Sequence, residues 1–525
     1  MFSPTLLLAA IAFQATPVPS PNASPGLGSP PGVLTVSPGT VELNPAQQRV
    51  LAVEGAVAPL TVTLDRRLVL TNVDPAGTTV TITATQATGN DVLHLVDSGG
   101  AQADVPIRVA FNAGTIAGQA TLKVTGNPVD PAWLARQATA WVGRLTQALP
   151  GAQTAIGFPD PAPGPLAAGD RIQLSVPVQI SSGGDRYFPQ SGATILDVQN
   201  VAVDAFSPGL LFYDDDPEHV VADGVLFRGT VTAAQAARLY YYHDDAAEPR
   251  RIVIALAAVS GDPTSVQLID SSAGPNIDVM QVGHAVSRNF LTIQPRGEGV
   301  IADLAGDEPL VLHDVPMSAR QGVAGAIDMR VLTGGPITVT VLAASPGVDP
   351  RSLLGEPVLP DDGHHRTGVF RVTGFGVHAL SYAAGGPDAK LVIGDTDPTA
   401  PNADASAPGH DYGDYGVLHS VDLTLSNPGP TPAPAYLYFR PIGGIARASF
   451  LIDGSLVELG CVRQSVPYQI SAFGLAPGQT SHASLSTMTD GGSFFPAEIG
   501  VSATPPQPTA PPIGAPDGCF PKPAP

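Results

Sequence analysis

The chain has 525 residues, 43% of them apolar and only 14% charged, with a formal net charge of −21. That much apolar material fills real cores and excludes disorder throughout, and the length calls for about three or four domains. The acidic balance, with no basic stripe anywhere, excludes nucleic acid as a partner and disfavours electrostatic docking on anionic lipid.

The chain starts "MFSPTLLLAAIAFQATPVPS". The apolar run from Leu6 to Phe13 is too short to span a bilayer, and small residues around Ala15 offer a cleavage point, so residues 1–16 are predicted to be a signal peptide. The protein is therefore expected to be exported: periplasmic, cell-surface or secreted. No later apolar run approaches ~18 residues, and no transmembrane segment is expected in the mature chain. Residues 17–32, rich in Pro, Ser and Gly, read as a linker.

From Val33 the texture changes to short alternating runs of β-branched residues, with turn residues every 8–12 positions or so. About seven such strands over residues 33–118 make an immunoglobulin-like β-sandwich pattern. Within it, "GNDVLHLVDSGG" precedes a final strand "ADVPIRVAF". On these two stretches, residues 33–117 resemble the N-terminal β-domain of pilus-assembly and secretin-associated bacterial proteins. That resemblance implies a place in the cell envelope.

Residues 119–203 are predicted to form a small α/β module. In "DPAWLARQATAWVGRLTQAL", Asp130 is placed to cap a helix and Pro131 to open it. Leu134, Ala138, Trp141, Leu145 and Ala148 then line one face. This is the single clear helix in the sequence.

Two larger β-sandwiches are expected, over residues 204–345 and 369–502, joined by a linker at 346–368 and followed by a Pro-rich tail at 503–525. Each contains an alternating strand, a turn and a returning strand: "RIVIALAAVSGDPTSVQLI" in the first, "LHSVDLTLSNPGPTPAPAYLYF" in the second. Each is followed downstream by another turn between strands, "IQPRGEGVIADL" and "FGLAPGQTSHASL". Three stretches in collinear order, "RIVIALAAVSGDP", "GGPITVTVLAA" and "YGVLHSVDLTLSNP", make residues 225–440 similar to an uncharacterised family of exported cyanobacterial proteins. The likeness implies the architecture and export. The fold class is thus mainly β, tandem immunoglobulin-like or jelly-roll-like sandwiches with one small α/β module.

Chemistry-bearing residues cluster in a few places. Asp395, Asp397, Asn402, Asp404 and Asp411 share one loop, and grouped oxygen ligands suit calcium. The spacing is not that of an EF-hand, and Pro398, Pro401 and Pro408 stiffen the loop, so an acidic surface loop is the competing reading; no other cofactor is indicated. His419 lies on a strand whose Val417, Val421, Leu423 and Leu425 share its parity, so it points inward. Asp214, Asp215, Asp216 and Glu218 are candidate acid and base groups, but consecutive aspartates in a turn splay apart. In "RLYYYHDD", Tyr240, Tyr242 and His243 stand on a strand that could offer rings to a sugar or another protein, while the other face is core.

No nucleophile elbow, paired-cysteine motif, zinc-protease motif or phosphate loop occurs, and no catalytic residue is assigned. "HHR", His364–Arg366, falls in the linker. In an oxidising compartment Cys461 and Cys519 are expected to bridge the tail to the last domain, the alternative being one buried and one free thiol. The reading is an exported, non-catalytic envelope or surface protein acting in binding, adhesion or assembly, its partner an envelope or surface protein or a glycan. A secreted carbohydrate-active enzyme using paired carboxylates and a pilus or fibre subunit are the alternatives.

Overall fold

The computed structural model describes residues 33–506 except 183, 185, 307, 364–366 and 396–410, together with Cys519. The chain is mainly β and divides into two compact units. The first comprises residues 33–116, 146–155 and 179–191; the second takes the remaining described residues. Among the described residues no helix is long and apolar enough to cross a membrane.

In the first unit, residues 33–109 form two four-stranded sheets. One runs Thr35–Ser37, Gln48–Glu54, Thr79–Ala84, Val69–Val73; the other runs Val41–Leu43, Gln102–Val109, Gly89–Asp97, Leu60–Leu64. The alternation in "TVTITA" buries Val80, Ile82 and Ala84, which meet Leu51, Leu93, Leu95 and Val109 in the core. The two aspartates of the "GNDVLHLVD" strand are structural. Asp91 accepts from the Leu68 and Arg66 amides at 2.8 and 2.9 Å, and Asp97 from Val57 and Ala101 at 2.9 and 2.8 Å. Each satisfies backbone donors that no strand partner reaches.

The second unit is built on one long sheet. Its hydrogen-bonded order includes Gln190–Asn200, Gln119–Thr125, Gly299–Leu304, Thr264–Asn276, Gly322–Thr333, Ala237–His243, Leu210–Asp214 and Thr367–Arg371. The expected boundary at 203/204 therefore falls between two strands of one sheet. The expected linker at 346–368 leads straight into the edge strand, and Leu359 donates to the Val225 carbonyl at 2.8 Å. A change in composition marked turns here, not the end of the hydrogen-bonded ladder.

A second sheet, Gly224–Val231, Ile337–Ala344, Arg250–Ala258 and Leu310–Met317, accompanies the long one. The "RIVIALAAVSGDPTSVQLI" segment is consequently not a hairpin within one sheet. Its first strand belongs to the four-stranded sheet and its second to the long sheet. The same is true of "LHSVDLTLSNPGPTPAPAYLYF" in the C-terminal sandwich. Leu418–Ser426 lies in a five-stranded sheet and Ala433–Pro441 in a four-stranded one, with Leu437, Phe439, Phe450 and Ile499 buried between them. Period-2 patterning specifies a buried face but does not say whether the next strand pairs or crosses.

The helix α1 spans Pro131–Leu145, and the Asp130 carboxylate accepts from the Trp133 amide at 2.8 Å. Its buried residues are Trp133, Leu134, Ala138 and Val142; Trp141 is half-buried, Leu145 is exposed, and Ala148 lies beyond the helix in a short strand. A second helix, α2 at Val279–Ile293, stands where strands and turns were expected. It packs on Thr264–Asn276 and Gly322–Thr333 on one side and on Ala446–Ile452 of the C-terminal sandwich on the other. Met280, Val282, His284, Val286, Phe290 and Leu291 are all buried. Val279, Val282, Val286, Phe290 and Ile293 recur at helical spacing, so the period was present in the sequence within a stretch taken for strands and turns. A second available signal is Asp278, whose side chain caps α2 by accepting from the Gln281 amide at 3.0 Å.

Candidate functional site

The strand Ala237–His243 is buried at every residue because it runs between Leu210–Asp214 and Gly322–Thr333 inside the long sheet. Its odd residues face the four-stranded sheet, on the side where Phe212 meets Phe227 at 5.6 Å. Its even residues face α2 and the C-terminal segments. Tyr240 stacks on Tyr213 at 5.9 Å, and the Arg238 guanidinium lies over the Phe290 ring at 4.6 Å. Tyr240 and Tyr242 thus do not present an open aromatic face, as a half-exposed strand would. They form the floor of a cleft of about 500 Å³.

The aromatic and acidic lining of the cleft comes from four segments of the second unit. Tyr213, Asp215 and Glu218 come from the end of one strand and its turn, Tyr240, Tyr242 and Asp244 from the next, Tyr412 and Tyr415 from the "DYGDYG" turn, and Phe494 from residues 491–495. Tyr412 and Phe494, 61% and 55% exposed, stand as a rim. The walls close on the floor because two glycines allow it. A Cβ at Gly416 would lie 2.6 Å from the Tyr240 Cβ, and one at Gly491 would lie 2.7 Å from the Tyr242 ring. The "DYGDYG" turn is pinned where Thr489 donates to the Gly413 carbonyl at 2.7 Å and the Tyr415 hydroxyl donates to the Ser493 carbonyl.

Asp411 serves that turn, accepting from the Tyr415 amide at 3.2 Å from a fully buried position. Asp395 is exposed, and Asp397, Asn402 and Asp404 lie outside the described residues, as do His410 and His364–Arg366.

The acidic run around residue 215 splays in three directions. Asp214 is buried beside His243, with Oδ2 3.6 Å from Nε2, while His243 Nδ1 contacts the Pro217 carbonyl at 2.9 Å. Burial opposes charge on this imidazole, but the Asp214 carboxylate outweighs it and holds its pKa above the ordinary value. His243 thus points away from the cleft, into structure. Asp215 accepts from the Tyr213 hydroxyl at 3.0 Å and lines the cleft with Glu218.

Asp216 turns toward Asp361 and Asp362, with one oxygen from each within 4.8 Å of the others. Three ligands fall short of the six to eight or so that calcium takes. Burial, then the neighbouring Asp362 and Asp361 charges, push the Asp216 carboxyl up to about 6. An acid raised above its unfolded value contributes stability at low pH that is lost as pH rises through the folded value. Asp216→Asn is therefore expected to raise thermal stability at pH 7.5 by on the order of 1 kcal/mol after solvent screening. The gain should vanish near pH 4; equal gains at both pH values would refute this electrostatic account.

In the cleft itself, the Asp244 carboxyl is pushed up to about 6 by burial and then by the adjacent Glu218 charge, to which it also hydrogen-bonds. His219, 3.0 Å from Asp244, acts in the opposite direction. Burial raises the Tyr240 and Tyr242 phenols well above their usual range, so both stay protonated. Neither hydroxyl has a hydrogen-bond partner among the described residues. Sequence reasoning found Tyr240 and Tyr242 but weighed the Asp214–Glu218 carboxylates and the loop ending at Asp411 separately. Only the fold joins them.

No family model and no curated protein matches this chain. Among solved structures it is similar to the tandem CBM22-1–CBM22-2 domain of Paenibacillus barcinonensis Xyn10C, at 10% identity, covering 53% of this chain and 78% of that one, with a TM-score of 0.13. It is also similar to Lac15 from a marine microbial metagenome, at 11% identity, 87% of each chain and a TM-score of 0.11. A third is SGBP-B of the mixed-linkage glucan utilization locus of Bacteroides ovatus, at 9% identity, 56% of this chain and 70% of that one, with a TM-score of 0.13. Likeness at this level carries no argument about the site, which rests on its own residues.

Two other groupings look like hydrolase machinery and are not. Ser272 and Asp270 both approach the same nitrogen, Nε2 of His313, at 3.2 and 2.6 Å, so the imidazole cannot relay a proton between them. His284, fully buried on α2, has Nδ1 2.6 Å from Asp490 and Nε2 3.0 Å from Glu458. Ser449 sits 3.4 Å from the Nδ1 already taken by Asp490. Elsewhere His419 is buried 3.1 Å from His378, and burial together with that neighbour lowers its pKa to about 3. The sulfur atoms of Cys461 and Cys519 are bonded, with Cα atoms 5.4 Å apart, and Cys519 lines the cleft.

Proposed function

We propose that this is an exported, non-catalytic protein of the bacterial envelope or surface that works by binding, with the aromatic, acidic cleft as its ligand site. The observation that carries this reading is the convergence of aromatic rings and carboxylates from four separate segments onto one cleft. Export is supported by the apolar leader and the paired cysteines. The sandwich at residues 33–109 is suited to docking on an envelope partner, in keeping with its resemblance to envelope-assembly domains.

A binding role suits the cleft better than glycoside hydrolysis. Hydrolysis needs two carboxyls standing about 5–10 Å apart across the sugar bond, whereas Glu218 and Asp244 are neighbours, the Asp244 amide donating to the Glu218 carbonyl at 3.0 Å. A glycan array probed with the full mature chain, followed by a Tyr412→Ala/Phe494→Ala variant, tests the reading. A defined set of bound glycans, weakened about tenfold or more in the rim variant, is the expected result. Unchanged binding in the variant would move the site elsewhere, and release of shortened sugars from a bound polysaccharide would establish an enzyme.

A further inference from the structure

We infer that the cleft recognises its ligand through a positively charged amino group, an organic ammonium carried by an amino sugar or a simple alkylammonium; the inference rests on the cleft being the ligand site. The described lining residues include the carboxylates Asp215, Glu218 and Asp244 and no lysine or arginine. The Asp244 amide donates to the Glu218 carbonyl at 3.0 Å, which makes the two residues neighbours in the cleft lining, and their like charges resist joint ionisation. An ammonium group placed against the pair relieves that repulsion, whereas a neutral ligand leaves it and an anionic one adds to it.

The rings point the same way. Aromatic faces carry negative electrostatic potential and attract alkylammonium groups, and the attraction grows as water is removed. Tyr213 and Tyr240 stack at the floor, Tyr415 is also in the lining, and the exposed Tyr412 and Phe494 guard the mouth. The independent observation is the pair of buried hydroxyls. Tyr240 and Tyr242 are 1% and 4% exposed, and their oxygens have no hydrogen-bond partner among the described residues. Buried hydroxyls without partners cost stability, and their oxygens can accept from an ammonium N–H. The Tyr240 hydroxyl lies 2.8 Å, and the Tyr242 hydroxyl 2.7 Å, from the positions that side chains at Gly491 and Gly492 would occupy. Glycine at both positions lets the chain pass close over these hydroxyls without a side chain striking them.

Titration calorimetry on the full mature chain tests the inference with two matched pairs of probes: a glucosamine oligosaccharide against its N-acetylated form, and choline against 3,3-dimethyl-1-butanol. The cationic member of at least one pair is expected to bind about tenfold or more tightly than its neutral partner and to weaken in ~0.5 M sodium chloride. Preference in the sugar pair alone identifies an amino sugar, and preference in both pairs a general ammonium site. Asp244→Asn and Glu218→Gln, each checked for an unchanged circular dichroism spectrum, are expected to remove the preference. Equal or tighter binding of the neutral members overturns the inference while leaving the binding function intact. A preference that survives both substitutions overturns it, and so does failure of all four probes; in that case the glycan array judges the binding function separately.

Discussion

Replacing Arg238 by alanine is expected to destabilise the second unit by about 3–5 kcal/mol, read as a fall in its denaturant midpoint. The guanidinium makes a two-pronged pair with Asp328, at 2.6 and 3.0 Å, where both side chains are nearly inaccessible to water. It also donates to the Gly416 carbonyl at 3.0 Å and covers the Phe290 ring. One side chain thereby joins the long sheet, α2 and the "DYGDYG" turn. Removal leaves Asp328 buried without its cation, and burial already drives that carboxyl's pKa upward. The companion variant Arg238→Met/Asp328→Leu should recover most of the loss, because no unpaired charge remains. If the double variant is as unstable as the single, the cost lies in packing and the electrostatic account fails.

The second large effect is expected at His284. Leucine here leaves Asp490, fully buried, without the imidazole 2.6 Å away, and a loss of about 3–5 kcal/mol is expected. The pH dependence has a definite sign. Burial works against the imidazolium, but Asp490 and Glu458 together hold its pKa above the ordinary value. A histidine raised on folding contributes stability that is fully present below its unfolded pKa, ~6.5, and is lost as pH rises through the folded value. The stability gap between the native chain and His284→Leu should therefore be widest near pH 6 and narrow toward pH 9. A gap that stays constant over that range would mean that the imidazole acts by shape alone.

Local features of this protein were legible without the fold. The alternation in "TVTITA" and "LHSVDLTLS" marked strands with one buried face, and His419 sits on the buried parity with Val421 and Leu423. Asp130 announced α1, since a cap depends on residues within one turn. The shared parity of Tyr240 and Tyr242 was equally plain, because it depends only on strand geometry.

What the amino acids determined by themselves, then, is the mainly β character, the strand faces and the position of α1, all of which arise from interactions between near neighbours. The tertiary structure decided the rest. It placed Ala237–His243 inside a sheet rather than at an edge, inserted α2 between two layers, and separated Asp214, Asp215 and Asp216 into three environments. It brought Tyr412 and Asp244, far apart along the chain, into one cleft. The physical reason is that periodicity records which side of a strand is dry, whereas the pairing of sheets and the close approach over Gly416 and Gly491 depend on contacts between segments that share no local signal.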